Sequence, residues 1–289
     1  MPVKPPYQDL GNVGATPTYN GGNMPFLEVK GADYKARYAA FNDVTFDSLV
    51  HFDETDISIG QQYSKCTFKE TLVFTNLKAS GHDPVLNPDS QNLVFKDCTF
   101  EEAVLFKGKK SAVERSIVFE RCEFKKGIEI ESINISVESL TFSGCTINEK
   151  LDVFDGKIKN DLRISGSTVN CFVRVEGLVG SILAITEANV FSDHFHVRHS
   201  QLERGIILNN GTFKEEVNFN CNLAKNEGLV IIGTSFEKAV FVRFHSGKHK
   251  PERGVNKFYL ASAKYGNGIY IDGTEDLFAD YPLVEEIEI

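Results

Sequence analysis

One pattern dominates this sequence: a short apolar motif that ends in a large apolar residue recurs along most of its 289 residues. The recurring residue stands at positions 46, 68, 100, 124, 147, 169, 190, 213 and 236, so most steps are 21 to 24 residues long. The step from 68 to 100 is 32 residues long and carries an insertion. Each copy contains three apolar-x-apolar units such as Leu93-Val94-Phe95, and this period of two is typical of half-buried strands. The chain is therefore expected to stack one copy on the next.

Stacking of these copies predicts an all-β fold, a right-handed single-stranded parallel β-helix with three short strands per coil. We expect about 9–10 coils, each strand paired with its equivalent one coil away at about 4.8 Å, in a rod on the order of 45 Å long. Leucine-rich repeats have a similar period, but the sequence lacks their fixed Asn and their helical half-coil.

The ends of the chain lack the clear strand pattern of the body. Residues 1–29 are rich in Pro, Gly, Asn and Tyr and are interpreted as an extended N-terminal arm. Residues 30–43 are expected to cap the first coil, with a short helix over 32–41 as one form of that cap. The β-helix itself is assigned to 44–274 and an opposite cap to 275–289. Caps are expected because open coil ends are unpaired sheet edges.

Two columns of equivalent residues predict how one corner packs. Small residues at the inward position indicate that the narrow corner of the coil has room only for small side chains. The cysteines among them are expected to be buried, reduced thiols, since no CxxC motif or His partner has the spacing of metal ligands. The inward column is Cys66, Cys98, Cys122, Cys145, Ser167, Ala188, Gly211 and Thr234. The next residue is predicted to face outward, and that column is Thr45, Thr67, Thr99, Glu123, Thr146, Thr168, Asn189, Thr212 and Ser235.

The same corner resembles pentapeptide-repeat proteins, in which small and large inward residues alternate every five positions. The resemblance rests on Phe95-x-x-Cys98-x-Phe100 and Phe119-x-x-Cys122-x-Phe124, and it covers about one corner of each coil. It implies a β-helix, and it raises the hypothesis of an acidic nucleic-acid mimic that inhibits DNA topoisomerases. Such mimicry needs a continuous acidic stripe, which Arg174, Arg198 and Arg243 interrupt.

One strand column is apolar at its middle residues as well as at their neighbours, so its sheet is expected to be apolar on both faces. An outer apolar face must be covered by the arm or tail, or by another protomer. The plan of arm, β-helix and apolar face resembles the trimeric β-helical spikes of phages and bacterial appendages. The candidate interface residues are Val94, Val118, Ala184, Ile207, Val230 and Tyr259.

The outward face of another strand column carries acids, arginines and histidines. Polysaccharide lyases and galacturonases with β-helical folds place catalytic groups on such a face, so a polysaccharide-acting enzyme is an alternative function. Its candidate catalytic residues are Glu131, Asp152, Arg174 and His196. The simpler interpretation is a solvated face whose charges pair across coils, in a chain without Trp. His194 and His196 are a candidate metal-binding pair without a supported third ligand, and no cofactor is predicted.

Two segments, 77–91 and 245–257, interrupt the coil length. The second is basic within an acidic protein, and long loops on a rigid scaffold often carry binding specificity. Its candidate binding residues, for phosphate or an acidic sugar, are Lys248, His249, Lys250 and Arg253.

Composition narrows the classes of function. The chain has 31 Lys+Arg against 40 Asp+Glu, a formal charge of −9, which argues against sequence-independent nucleic-acid binding. No apolar stretch approaches about 18 residues and the start lacks an apolar signal region, so we expect no membrane span. These features favour a cytoplasmic protein, or a particle assembled in the cytoplasm that can then be exported.

The sequence thus favours a non-catalytic structural or recognition protein. We expect a rigid module of an assembly or appendage that self-associates, with a trimer favoured, and that binds a partner or an acidic glycan. The enzyme and the nucleic-acid mimic stay as alternatives, because a fold alone does not assign a function.

Overall fold

The computed structural model is a parallel β-solenoid, which confirms the predicted all-β fold. The structure describes residues 18–25, 27–30, 38–57, 60–79, 91–223, 228–246 and 258–272. Their strands form one sheet of 24 strands and one of 11 strands. The described part of the chain contains no helix of the length and apolar character needed to cross a membrane.

The strands are short and follow one another at regular intervals. In chain order they are β1 Thr18–Asn20, β2 Asn23–Met24, β3 Leu27–Lys30, β4 Tyr38–Asn42, β5 Thr45–Phe46, β6 Val50–Asp53, β7 Gly60–Ser64, β8 Thr67–Phe68, β9 Leu72–Thr75, β10 Lys78–Ala79, β11 Gln91–Lys96, β12 Thr99–Phe100, β13 Val104–Lys107, β14 Ala112–Val113, β15 Ser116–Glu120, β16 Glu123–Phe124, β17 Ile128–Glu131, β18 Asn134–Ile135, β19 Leu140–Ser143, β20 Thr146–Ile147, β21 Leu151–Phe154, β22 Lys157–Ser165, β23 Thr168–Val169, β24 Val173–Glu176, β25 Val179–Thr186, β26 Asn189–Phe191, β27 Phe195–Asn209, β28 Gly211–Phe213, β29 Val217–Leu223, β30 Leu229–Ile232, β31 Ser235–Phe236, β32 Val240–Ser246, β33 Phe258–Ala261, β34 Lys264–Tyr265 and β35 Ile269–Asp272.

Each complete coil consists of four strand columns, which we name A, B, C and D. One coil runs through β11 (column A), β12 (B), β13 (C) and β14 (D), and β15 then begins the next coil in column A. About eight turns carry all four columns. The structure therefore adds column D to the three predicted columns. Its early strands are only two residues long, too short to leave a period-two pattern in the sequence.

Stacked aromatic rings fill the core of the N-terminal half. In column A the rings of Phe95 and Phe119 are stacked with centroids 4.9 Å apart. In column B, Phe100 and Phe124 are stacked at 4.8 Å. Phe119 meets the edge of Phe124 at 5.2 Å, so the two stacks interlock. Side chains packed in this way hold successive coils in a fixed register and make the outer faces rigid platforms.

The small-residue column is buried, as predicted. All six cysteines of the chain are free, buried thiols. The thiols of Cys98 and Cys122 each donate to a backbone carbonyl of the preceding coil, at 3.5 and 3.4 Å. Burial raises the pKa of both thiols, so they pack as neutral groups.

The predicted register is wrong by one residue at β26. Strand pairing sets Asn189, rather than Ala188, opposite Gly211 in the small-residue column, so Asn189 faces inward instead of outward. Its side-chain oxygen accepts from the amide of Ser167 at 2.9 Å, and its amide nitrogen donates to the carbonyl of Thr186 at 2.6 Å. An asparagine satisfied in this way can be buried, which the sequence pattern alone does not indicate.

The solenoid begins earlier than predicted. β1, β2 and β3 pair with β4, β5 and β6, so residues from 18 onward form a coil rather than an extended arm. β4 is a strand whose Phe41 stacks on Tyr63 at 4.8 Å, so the helix predicted over 32–41 is wrong from residue 38 onward. A short apolar run fits the period of a helix as well as the period of a strand. The parallel pairing of β4 with β7 shows that this run is a strand. Residues 1–17, 31–37 and the predicted cap at 275–289 lie outside the described residues.

Candidate functional site

Column C forms an outward ladder of functional side chains. Successive side chains of a strand point to opposite faces, so in β24 Val173 and Val175 are buried while Arg174 and Glu176 face outward. The same alternation holds from strand to strand because the pairing is in register. The second residues of these strands, from β17 to β35, are Glu129, Asp152, Arg174, His196, Asn218, Phe241 and Tyr270.

The N-terminal half of this ladder is a compensated ion network. Asp152, whose side chain is only 3% exposed, accepts from Arg174 Nη2 at 2.9 Å and lies 3.3 Å from Lys150 Nζ. Lys150 also pairs with Glu129, and the guanidinium of Arg174 lies 4.5 Å above the centroid of the Phe154 ring. The Asp152 carboxylate raises the pKa of Arg174, so the cation is retained. This arrangement holds neighbouring coils together through paired charges.

The four candidate catalytic residues do not form an acid–base pair. Asp152, Arg174 and His196 follow one another on β21, β24 and β27, whereas Glu131 is in register with Phe154, two residues further along the strand. Asp152 is already neutralised by two cations. A glycosidase or lyase needs an accessible carboxyl group and a base on either side of the reacting bond. The structure brings together an ion pair and a neutral imidazole instead.

The two candidate metal ligands have other partners. His194 Nδ1 lies 2.8 Å from Asp193 Oδ1, and His196 Nδ1 accepts from Arg198 Nη2 at 3.0 Å. Burial, followed by the positive charge of Arg198, lowers the pKa of His196 to about 4. The arginine would repel a cation at this imidazole. Within the described ranges, no group of three or more His, Cys, Asp or Glu is arranged to hold a metal ion.

The C-terminal half of the ladder contains a cavity of about 230 Å³. The two asparagines of β29 are shorter than the outward side chains before them, His196 and Arg198, and after them, on β32. This difference in length leaves a notch about one coil wide. We name it the asparagine notch, and its lining residues are Asn218, Asn220, Phe241, Val242, Arg243 and Tyr270.

An exposed aromatic pair forms one wall of the asparagine notch. Phe241 and Tyr270 are 37% and 55% exposed, and their rings are stacked at 5.2 Å with 15° between their planes. Tyr270 covers one face of the Phe241 ring, and the other face is turned toward Asn218 on the preceding coil. A large apolar ring with one face exposed to solvent indicates a contact site.

Cationic side chains flank the same notch. Arg198, Asn220 and Arg243 are in register on three successive strands, so one arginine lies on each side of Asn220. Adjacent strands are about 4.8 Å apart, which separates the backbones of the two arginines by about 10 Å. Arg198 and Arg243 are both exposed residues, and a guanidinium is a planar group with several donors, one of which Arg198 uses toward His196 Nδ1.

Sequence reasoning missed Phe241 and Tyr270 as site residues. The signal was present, because each is the middle residue of an apolar-x-apolar unit, Val240-Phe241-Val242 and Ile269-Tyr270-Ile271. A large aromatic ring at a position predicted to face outward is the feature that indicates a binding surface.

The predicted interface residues share one face of column A. Val94 pairs with Val118, and Ala184, Ile207 and Val230 follow one another on later strands. Neighbouring side chains already bury Val94 and Ala184, whereas Val118, Ile207 and Val230 are half-buried. This face is therefore less exposed than the sequence suggests. The backbone of Tyr259 continues the row on β33, and its side chain lies outside the described residues.

The predicted basic binding residues also lie outside the described residues. They are Lys248, His249, Lys250 and Arg253. Along the chain they follow β32, which ends at Ser246 and carries Phe241 and Arg243 of the notch.

No protein-family model, curated protein or solved structure matches this chain.

Proposed function

We propose that this protein is a non-catalytic recognition module that binds an acidic sugar in the asparagine notch. The stacked and exposed Phe241–Tyr270 pair beside Asn218 and Asn220 is the observation that carries the proposal. The β-solenoid supplies the rigid support, and the notch supplies the binding groups.

The size and lining of the notch support a sugar ring as ligand. A cavity of about 230 Å³ is below the roughly 300–1,000 Å³ of a drug-sized pocket, so it suits one ring of a larger molecule. The open face of Phe241 offers an apolar surface to the C–H face of a pyranose. Asn218 and Asn220 place amide donors and acceptors at the opposite wall, where sugar hydroxyls can exchange hydrogen bonds.

The charges around the notch support an acidic sugar. Arg198 and Arg243 lie on either side of Asn220, and guanidinium groups bind carboxylates through two parallel hydrogen bonds. The compensated network of Asp152 lies two or more coils away, and the register sets Glu176 and Asp272 on the outer sides of Arg198 and Arg243, so the two arginines are the charged residues nearest Asn220.

The buried and doubly paired Asp152 supports a non-catalytic role. The Asp152 carboxylate is buried and already contacts Arg174 and Lys150, so it is not open to contact a substrate. We therefore expect binding without cleavage of the glycan.

Calorimetric titration with oligogalacturonate, oligoguluronate and hyaluronan fragments tests the proposal, with maltohexaose as the neutral control. At least one acidic oligosaccharide is expected to bind, and Phe241→Ala or Arg198→Gln should weaken its binding about tenfold. Ile232→Ala, at the same 37% exposure, and Lys238→Gln are matched controls that should leave the affinity unchanged. Absence of binding, or equal losses in the control variants, would contradict the proposal. New reducing ends or unsaturated products would instead favour the polysaccharide enzyme.

Self-association as part of a larger assembly is a second candidate function. The half-buried row of Val118, Ile207 and Val230 on column A favours it, because a second copy could cover this row. A trimer, and a place in a phage or bacterial appendage, are the finer forms of this proposal. They are compatible with sugar recognition, because column A and the notch on column C are different faces.

A further inference from the structure

Column D carries a second concave surface, which is independent of the asparagine notch. Two cavities of about 280 and 270 Å³ adjoin there and share Asn134 and Lys157. Together they form a groove that runs from the turn before β14 to β27, and it shares no residue with the notch. We name it the lysine groove, after its lining residues Lys109, Lys110, Lys157 and Lys159.

The four lysines of the groove make no ion pair with an acid within the described ranges. Some other lysines do pair across coils, as Lys69 does with Asp47 and Lys125 with Glu101. The lysine groove contains two acids, Asp155 and Glu203, so its lining carries a local excess of positive charge in a protein of net charge −9.

Glycines allow the close approaches that shape this groove. The Asp155 carboxylate lies over Gly177 on the following coil, where an added Cβ would come within 2.4 Å of its Oδ1. The turn that carries Lys109 and Lys110 is fixed by a hydrogen bond from the Lys110 amide to Asn76 Oδ1 at 3.3 Å. Gly108 has a φ of 96° in this turn, a conformation that favours glycine.

Neutral donors complete the groove. The side chains of Ser132 and Asn134 make no hydrogen bond with the described part of the chain, and both line the cavity with Lys109 and Lys157. Ammonium groups on two sides and a hydroxyl and an amide between them match a tetrahedral oxyanion with several acceptor oxygens. The adjoining cavity extends past Val179, which is 43% exposed, and leaves room for the body of a larger ligand.

We propose that the lysine groove binds the phosphate or sulfate ester of an anionic ligand. Lys109, Lys110 and Lys157 contact the oxyanion, and Ser132 and Asn134 orient it. The remainder of the ligand lies along column D toward Val179.

This proposal is tested by following the NMR signals of the lysine side chains during titration with inorganic phosphate and, separately, with inorganic sulfate. Sodium chloride at equal ionic strength is the control. Saturable shifts are expected at Lys109, Lys110 and Lys157, and Lys109→Gln with Lys157→Gln should weaken binding about tenfold. The pair Lys214→Gln with Lys238→Gln, both exposed lysines outside the groove, should leave it unchanged. Lys109→Arg with Lys157→Arg should keep binding, since arginine retains the positive charge.

Two further probes identify the source of the oxyanion. Stronger binding of glucose 6-phosphate than of glucose 6-sulfate indicates a phosphate ester, and the reverse order indicates a sulfate ester. Shifts that do not saturate, or an equal loss in the control pair, would overturn the proposal. Because Phe241 and Arg198 lie outside the groove, failure here leaves the sugar experiment unaffected.

Discussion

At the residue scale, His196 shows how its neighbours set the properties of one side chain. Its ring meets Phe172 edge-on at 4.8 Å, and its Nδ1 accepts from Arg198. The neutral ring therefore carries its hydrogen on Nε2, a buried atom without a partner within the described ranges. Protonation would add a second cation beside Arg198, so the environment favours the neutral imidazole.

This environment predicts a pH dependence of stability. The pKa of His196 is about 4 in the folded protein against 6.5 for the free side chain. The unfolded chain therefore takes up a proton first, so the free energy of unfolding should fall as pH drops from about 6.5 to about 4. Above this window the contribution of His196 should be constant. Chemical unfolding of the native protein and of His196→Asn, at a series of pH values, measures the difference.

Other groups also change the stability at acidic pH, so only the difference between the two proteins is informative. Asp193, for example, acts below this window, because its hydrogen bond to His194 lowers its pKa from 3.8. An NMR titration of His196 near pH 6.5, or identical pH profiles for the two proteins, would refute the predicted burial of a neutral imidazole.

At the element scale, the corner between columns A and B repeats one backbone conformation. The corner residue has a φ between 52° and 66° on every coil where it is described, and most such residues are not glycine. These residues are Gly21, Asp43, Lys65, Asp97, Arg121, Gly144, Gly166, Glu187, Asn210, Gly233 and Ser262. Cross-coil contacts support the strained positions, since Arg121 binds both carboxylate oxygens of Asp97, at 2.7 and 3.0 Å.

Gly166 allows the conformational cost of this corner to be measured. It has a φ of 55°, and an added Cβ would meet only the end of the Glu187 side chain, at 3.2 Å. Gly166→Val should destabilise the protein by about 1–2 kcal/mol, because a β-branched residue is strained in the left-handed region. Gly166→Asn is the matched control and should be nearly neutral, since Asn210 already holds this conformation. Equal midpoints of denaturant unfolding for the two variants would refute the argument.

At the scale of the whole molecule, the solenoid separates three surfaces on one rigid rod. Column C carries the asparagine notch, column D the lysine groove, and column A the half-buried apolar row. Because each column is a separate sheet face or corner, a change on one surface should leave the others folded. Two anion-binding surfaces on neighbouring columns would suit a ligand with more than one acidic group.

If the apolar row of column A is the interface between protomers, substitutions in this row should change the mass of the assembly and leave the fold of each protomer unchanged. Light scattering after size exclusion should give about three times 32.2 kDa for the native trimer. The double variant V118K/I207K should give one protomer mass with an unchanged β-sheet spectrum, because lysine on a covered face is costly but on an open face is tolerated. A monomeric native protein, or a double variant of native mass, would show that this face is not the interface.

The repeat period alone is enough to specify the fold, because the coils repeat one alternation and the marker residues face one core, with Val190 in the shifted strand β26 as the exception. The marker at 100 and the marker at 124 are equivalent only if the chain winds once between them, and β12 and β16 pair in that way. The positions of Cys98 and Cys122 in a buried column followed from the same period. Which residues are buried follows from their spacing along the chain, so the sequence alone predicts this pattern.

The tertiary structure alone decided the sites and the exceptions. Asn189 is buried because carbonyl and amide groups from other coils reach it, and Asp152 is neutralised because Arg174 lies 22 residues away in the chain but one coil away in space. The asparagine notch exists because short and long side chains fall on successive coils, and the lysine groove because lysines of different coils line two adjoining cavities. Contacts between coils depend on register and on loop length, which shift from coil to coil, so a repeat period cannot specify them.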